Sequence, residues 1–187
     1  IASAAAILVW LSPAEQTLGQ GVKIVYVHVA LTQVGTIGLY LAGLLGIGVA
    51  VSAHKKLHIW MRTIGWAALG FLAAGFGVSI LAQQISWGGI AWQEPRVAAA
   101  LNVLAAALVI QIGSAWLPWQ WVHGVLNVAL AVYLIWANWN AESVLHPTAA
   151  IRSSPSPGIR LSFLGLLVLC SLGAVWIVWR LGREVPS

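Results

Sequence analysis

Long apolar runs recur along the whole chain and constrain its fold more than any other feature. Five of them are predicted to cross a membrane, at roughly 24–52, 60–83, 97–116, 120–139 and 160–180. A helix of about 20 apolar residues is long enough to cross the hydrocarbon core of a bilayer. The sequence therefore predicts an all-α fold, a polytopic transmembrane helix bundle.

The composition excludes a water-soluble domain. Of the 187 residues, 60% are hydrophobic and only 7% are charged, and the mean hydropathy is +0.91. A soluble domain needs about a quarter of its residues to be charged. The net charge of +5 consequently relates to membrane topology and does not indicate nucleic-acid binding. One cysteine, Cys170, cannot form a disulfide framework or a cysteine metal site.

The beginning of the chain differs from the five full runs. Residues 1–11 are apolar but would span only about 16 Å as a helix, about half of a bilayer. We interpret them as the end of a first span, which gives about six spans with the first truncated. Residues 1–187 then form a single integral membrane domain, in which 84–96 is an external tryptophan-containing loop and 140–159 is a second external loop.

Basic residues predict the orientation of the bundle. They cluster after the first full span and just past the last one, at His54, Lys55, Lys56, His58, Arg62, Arg180 and Arg183. Alternating crossings put both clusters on one side, which the positive-inside bias makes cytoplasmic. His28, the 84–96 loop and His146 then share the outer face. We expect an integral protein of a bacterial inner (plasma) membrane.

Two histidines occupy the points where apolar helices meet this outer face. They are His28 and His146, the latter in Leu145-His146-Pro147. Ionisable or ligating residues near membrane depth are candidates for function, although an interfacial histidine without a ligand is the alternative. Haem iron takes two axial ligands, and bis-imidazole ligation needs one from each side of the ring. The pair therefore predicts a non-covalent haem b with His28 and His146 as iron ligands.

The 84–96 loop carries the other candidate residues for cofactor binding. Trp87 and Trp92 could wall the edge of a haem or could simply belong to the aromatic belt of the membrane interface. Arg96 could contact a haem propionate, because its planar guanidinium suits carboxylate geometry. The alternative is that Arg96 and Glu94 pair with each other.

Three histidines fall on the inner face. His54 and His58 lie among basic residues and are interpreted as parts of a solvated loop that sets orientation. His123 is interpreted as structural. The chain contains no carboxylate dyad, phosphate-binding loop, nucleophile–base pair or covalent haem-attachment motif, so a haem carrier or assembly factor is favoured over an enzyme.

These segments resemble the CcmC/CcsA-type haem-handling proteins of cytochrome c maturation. The resemblance covers about residues 20–180 and rests on Ile24-Val25-Tyr26-Val27-His28-Val29, the tryptophan-containing loop, and Trp139-Asn140 followed by Leu145-His146-Pro147. It implies that His28 and His146 ligate haem, and that the tryptophan-rich segment presents the haem to a chaperone or apocytochrome. The motif is degenerate here, because Ile90 and Ala91 replace central aromatic residues.

Three functions follow from the sequence. The leading hypothesis is a membrane haem-binding protein that delivers haem for cytochrome c maturation, with haem, the lipid bilayer and membrane proteins such as a haem chaperone or other assembly subunits as partners. The alternative is a structural transmembrane subunit of a larger complex, derived from this family, with haem binding weakened or lost. The third is a b-type electron-transfer subunit with an inner haem on His123 and either His54 or His58.

Overall fold

The fold is a bundle of α-helices. The structure is a computed structural model and describes residues 1–16, 18–142, 144–145, 151 and 154–184. Its helices are α1 (Ala2–Leu11), α2 (Val22–Ser52), α3 (Lys55–Trp87), α4 (Pro95–Gly113) with a 3₁₀ turn (Ser114–Trp116), α5 (Gln120–Asn140) and α6 (Pro157–Glu184). Helices α2 to α6 are long and apolar enough to cross a membrane. The prediction of an all-α polytopic bundle is confirmed.

Local sequence determines where the helices end. Ala53 ends α2 in the left-handed conformation, with φ +48°, and α3 begins only two residues later. Gly88 ends α3 with φ +72°, a conformation that glycine adopts without strain. Pro95 opens α4, where its missing N–H has no helical partner to lose. Helix α3, Lys55–Trp87, is longer than the predicted span 60–83. Polar residues continue the helix on both sides of the apolar run.

Helix α2 packs against both α3 and α5 through glycines. Gly46 of α2 and Gly124 of α5 lie so close that a Cβ on Gly46 would come within 2.7 Å of the Gly124 carbonyl oxygen. A Cβ on Gly35 would come within 2.8 Å of the backbone nitrogen of Leu72 in α3. Small residues at helix interfaces allow such close backbone approach in membranes. The glycines thus explain how α2 occupies the centre of the bundle.

The antiparallel packing divides the bundle into two ends. In α2 and α3, Gly35 lies against Leu72 and Gly75 against Thr32, so the start of α2 meets the end of α3. We call this end, with the starts of α2, α4 and α6 and the ends of α3 and α5, the His28 end. The opposite end, where α3 and α5 begin, is called the His58 end.

Helix α1 lies against α6. A Cβ on Gly165 would meet the side chain of Leu8, and one on Gly173 would meet Ile1. Lys23 Nζ donates a hydrogen bond of 2.7 Å to the carbonyl oxygen of Trp10. This bond ties the last turn of α1 to the first turn of α2 at the His28 end.

Candidate functional site

A cavity of about 170 Å³ opens at the His28 end between α2, α3, α4 and α5. Its wall contains apolar side chains of α3, α4 and α5. The polar residues that line it, among those described, are His28, Thr32, Thr36, Ser79, Gln83, Arg96 and Asn138. Two of the predicted site residues, His28 and Arg96, are therefore brought to one cavity although they are far apart in sequence.

The imidazole of His28 is oriented by the backbone of α3. Its Nδ1 lies 2.9 Å from the carbonyl oxygen of Gly75. A carbonyl only accepts hydrogen bonds, so Nδ1 carries the proton and Nε2 carries the lone pair. Metal-binding histidines typically donate their second ring N–H to a carbonyl or carboxylate, which fixes the tautomer and the ring orientation. His28 thus has the tautomer of a ligand that binds through Nε2.

Gly75 makes this hydrogen bond possible. A Cβ at this position would lie 2.6 Å from Thr32 Oγ1 and 2.9 Å from the Thr32 backbone nitrogen. Any larger residue would push α3 away from α2 and would lengthen the bond to His28. The sequence indicates Gly75 only as a packing residue. Its second role depends on the register between two helices, which the sequence does not reveal.

The predicted 84–96 loop is shorter in the structure, residues 88–94, because α3 continues to Trp87 and α4 begins at Pro95. Glu94 connects this loop to the segment that follows α5. Its side chain is 3% exposed. One carboxylate oxygen accepts a hydrogen bond of 3.3 Å from the backbone N–H of Val144, and the other accepts one of 3.0 Å from Leu145. Leu145 directly precedes His146, which lies outside the described residues. The chain leading to His146 is thereby held at the His28 end.

The two predicted tryptophans lie near the cavity but not in its wall. Trp87 is the last residue of α3. Trp92 follows in the loop, 53% exposed. Neither is among the residues that line the cavity. The loop that carries Trp92 is folded back on α3, because Gln83 Oε1 accepts a hydrogen bond of 3.1 Å from the backbone N–H of Ala91.

Gln83 is a candidate that the sequence analysis missed. Its side chain is 3% exposed and lines the cavity. While Oε1 is used by Ala91, Nε2 is buried and has no hydrogen-bond partner in the described part of the chain. Leaving a buried donor unpaired costs about 1–3 kcal/mol. A glutamine near the end of an apolar helix is the only signal that the sequence offered.

The interpretation of His58 as part of a solvated loop is wrong. His58 is 9% exposed, and its Nε2 lies 2.6 Å from Nδ1 of His123. His123 Nε2 in turn donates to the carbonyl oxygen of Leu117 at 2.9 Å, so His123 Nδ1 accepts and His58 Nε2–H donates. The reason is that α3 begins at Lys55, which puts His58 on its buried face. His54 precedes the helix and is exposed.

The two imidazoles belong to a buried polar network at the His58 end. Asn127 Nδ2 donates to the carbonyl oxygen of His123 at 2.9 Å, and Gln111 Nε2 donates to Asn127 Oδ1 at 3.3 Å. Hydrogen bonds of this kind join helices inside a membrane bundle. Since metal–imidazole bonds are about 2 Å long, two nitrogens on opposite sides of one iron lie about 4 Å apart. His58 and His123 are closer than that, so their geometry disfavours an inner haem between them.

Within the described ranges, no group of three or more histidine, cysteine, aspartate or glutamate residues is arranged to hold a metal ion. A comparison with protein-family models found no match for this chain, and a comparison with curated proteins found none either. The resemblance to the CcmC/CcsA-type proteins consequently stays a prediction.

Proposed function

We propose that this chain is a membrane protein that holds haem b non-covalently at the His28 end and delivers it for cytochrome c maturation. The observation that carries the proposal is the hydrogen bond between His28 Nδ1 and the Gly75 carbonyl. It fixes the ring of an imidazole that lines a cavity, in the way that a second hydrogen bond fixes the ring of a metal-binding histidine.

The second axial ligand in this proposal is His146. The support for it is indirect and comes from Glu94, which holds the N–H groups of Val144 and Leu145. These two residues immediately precede His146 in sequence and lie at the same end of the bundle as His28. Both ligands then lie on the outer face that the basic residues predict.

The size of the cavity supports a carrier. At about 170 Å³ it is smaller than the roughly 300–1,000 Å³ of pockets that enclose drug-sized ligands. A porphyrin that is ligated by His28 is therefore not enclosed by this cavity alone. A haem that keeps one side accessible suits a protein that must pass it to a chaperone or an apocytochrome.

The residues named here have separate roles in haem binding in this proposal. Bound haem supplies an iron for axial ligation and two propionates. His28 provides a ligand, and the Gly75 carbonyl keeps its ring and tautomer in place. Arg96 lines the same cavity and supplies a positive charge for a propionate. Trp87 and Trp92 offer aromatic surface at the edge of the ring.

One observation favours a second candidate function. Trp87 and Trp92 do not line the cavity, and the tryptophan motif is degenerate. A structural transmembrane subunit with weakened or lost haem binding would need no more than the packed bundle. The b-type electron-transfer function is disfavoured, because His58 and His123 are hydrogen-bonded to each other.

Haem stoichiometry tests these functions. The full chain is purified in detergent under conditions that keep haem in carriers, and a pyridine haemochrome assay is combined with a reduced-minus-oxidised spectrum. We expect one b-type haem, lost in His28→Ala and His146→Ala and retained in the control His54→Ala, whose histidine is exposed. A haem-free protein would favour the structural subunit, and two haems would favour electron transfer.

A further inference from the structure

An apolar groove of about 360 Å³ lies between α2, α3 and α6 and shares no lining residue with the cavity at His28. Ile37, Leu41 and Val175 line it and are exposed, so the groove is open on its outer side. Ser171 is the one hydroxyl residue among the described residues that line it. Its hydroxyl donates a hydrogen bond of 2.8 Å to the carbonyl oxygen of Leu167 in the same helix. The groove therefore suits a hydrocarbon chain.

The length of the groove matches one leaflet of a bilayer. On α3 it reaches from Trp60 to Phe71, which is about 16 Å of helix rise and about half of the roughly 30 Å hydrocarbon core. Phe71 lies at the middle of α3, Lys55–Trp87, so the groove begins near the His58 end and stops near the centre of the bundle. A lipid acyl chain has this reach, whereas a transmembrane helix of a partner would need a groove across both leaflets.

Two tryptophans mark the end of the groove that lies nearer to the His58 end. They are Trp60 of α3 and Trp179 of α6. A Cβ on Gly182 would come within 2.7 Å of the Trp60 ring, so the last turns of α6 pack on the start of α3. Tryptophan is enriched where the membrane meets water. This end of the groove is therefore placed at the level of the lipid headgroups.

A basic residue lies one helical turn beyond each tryptophan. Lys56 precedes Trp60 on α3, Arg183 follows Trp179 on α6, and both basic residues are exposed. Residues four apart lie on the same face of a helix. The Arg183 guanidinium indeed lies 4.6 Å from the centroid of the Trp179 ring. A stacked guanidinium keeps its N–H donors in its own plane, where they suit a phosphate.

We propose that the groove binds an anionic phospholipid from the leaflet at the His58 end. One acyl chain lies between α2, α3 and α6, and the phosphate contacts Lys56 and Arg183. Basic pockets between transmembrane helices recognise anionic lipid headgroups in this way. The groove holds the chain, and the two positive charges select an anionic lipid over a zwitterionic one. This site is separate from the His28 end and does not depend on haem.

Native mass spectrometry of the full chain in detergent tests the proposal. The protein is titrated with dioleoyl phosphatidylglycerol and, in parallel, with phosphatidylcholine that carries the same acyl chains. Lys56→Gln and Arg183→Gln remove the charges, with Lys55→Gln as the control, because Lys55 is exposed and lies about 100° around the helix from Lys56. Ala67→Phe fills the groove, which Ala67 lines. Ala73→Phe is its control, since Ala73 is exposed on the same helix and does not line the groove.

We expect one phosphatidylglycerol to bind at least about fivefold more tightly than phosphatidylcholine, the ratio that one basic residue near a headgroup provides. Lys56→Gln and Arg183→Gln should each weaken phosphatidylglycerol binding by about fivefold. Ala67→Phe should weaken both lipids, until the first phosphatidylglycerol binds no more tightly than the second. Both control variants should behave as the unmodified protein.

Four outcomes overturn the proposal. Equal affinity of the unmodified protein for the two lipids would refute the charged headgroup site. Unchanged phosphatidylglycerol affinity in Ala67→Phe, with its thermal midpoint retained, would refute the acyl chain in the groove. Ala67→Leu is the second variant if Ala67→Phe does not fold. Displacement of the lipid by glycerophosphoglycerol, the headgroup without acyl chains, would show a phosphate site that needs no groove. Loss of a dimer in Ala67→Phe, with lipid binding unchanged, would show that the groove is an interface between two copies of the chain.

Discussion

Glu94 and Leu145 are separated by 51 residues in sequence and are joined by a hydrogen bond of 3.0 Å between a carboxylate oxygen and a backbone N–H. The carboxylate is almost fully buried. It holds Val144 and Leu145, which follow α5, against the start of α4. Hydrogen bonds to a charged group are worth about 1.5–3 kcal/mol each.

Replacing Glu94 should therefore affect both stability and haem retention. We expect Glu94→Ala to lower the free energy of unfolding by about 2–4 kcal/mol, because the N–H groups of Val144 and Leu145 lose their acceptor. Thermal unfolding in detergent measures the change in stability. The haem content of the purified variant measures the change in haem retention. The control is Glu142→Ala, since Glu142 is an exposed acidic residue at the same end. An unchanged unfolding midpoint in Glu94→Ala would contradict the anchoring role.

Gly75→Ala tests the hydrogen bond that orients His28. The added Cβ would meet the backbone and hydroxyl of Thr32 at less than 3.0 Å, so α2 and α3 must separate and the His28–Gly75 bond must lengthen. We expect loss of most of the bound haem, measured by the pyridine haemochrome assay.

A matched control for this variant is Gly77→Ala. Gly77 lies in the same helix, and a Cβ there would have open space. The control should retain haem and should be slightly more stable, because alanine is a better helix former than glycine by about 1 kcal/mol. Full haem content in Gly75→Ala would show that the orientation of His28 does not depend on this carbonyl.

The sequence was sufficient to predict the helix bundle, because each long apolar run predicts a membrane-spanning helix without information from the rest of the chain. It also drew attention to His28 and Arg96, which the structure brings to one cavity, since polar residues beside apolar runs stand out; their role as site residues stays a prediction. It could not identify the role of Gly75 or Gln83. Their contribution depends on which helices are neighbours and in which register, and neither relation is encoded in a single local pattern.

His58 shows a second limit of reading the sequence. The basic residues around it favoured a loop, and the predicted span began only at residue 60. In the structure the link between α2 and α3 is two residues long, because Ala53 adopts the left-handed conformation. His58 is consequently one turn inside α3 and faces His123. The burial of His58 follows from the short link between α2 and α3, which charge composition does not predict.

His123→Leu tests whether the buried imidazole pair stabilises the His58 end. The variant leaves the N–H of His58 and the carbonyl of Leu117 without their partners in a buried site. We expect the free energy of unfolding to fall by about 2–4 kcal/mol. Haem content at the opposite end should persist in the folded fraction. His54→Ala is the control, because His54 is exposed, and it should leave the unfolding midpoint unchanged. Equal midpoints of His123→Leu and the unmodified protein would show that the pair contributes no stability.

Trp92→Ala separates haem binding from general membrane anchoring. If Trp92 contacts the porphyrin edge, its removal costs about 0.5–1.5 kcal/mol of ring contact, which corresponds to a loss of affinity of roughly two- to tenfold. The unfolding midpoint should change little, because the side chain is 53% exposed. Trp139→Ala is the matched control, since Trp139 lies at the His28 end of α5 and is 87% exposed. Absorbance titration with haem in nanodiscs measures both. Equal affinities of the two variants would show that Trp92 belongs to the interfacial aromatic belt and does not contact haem.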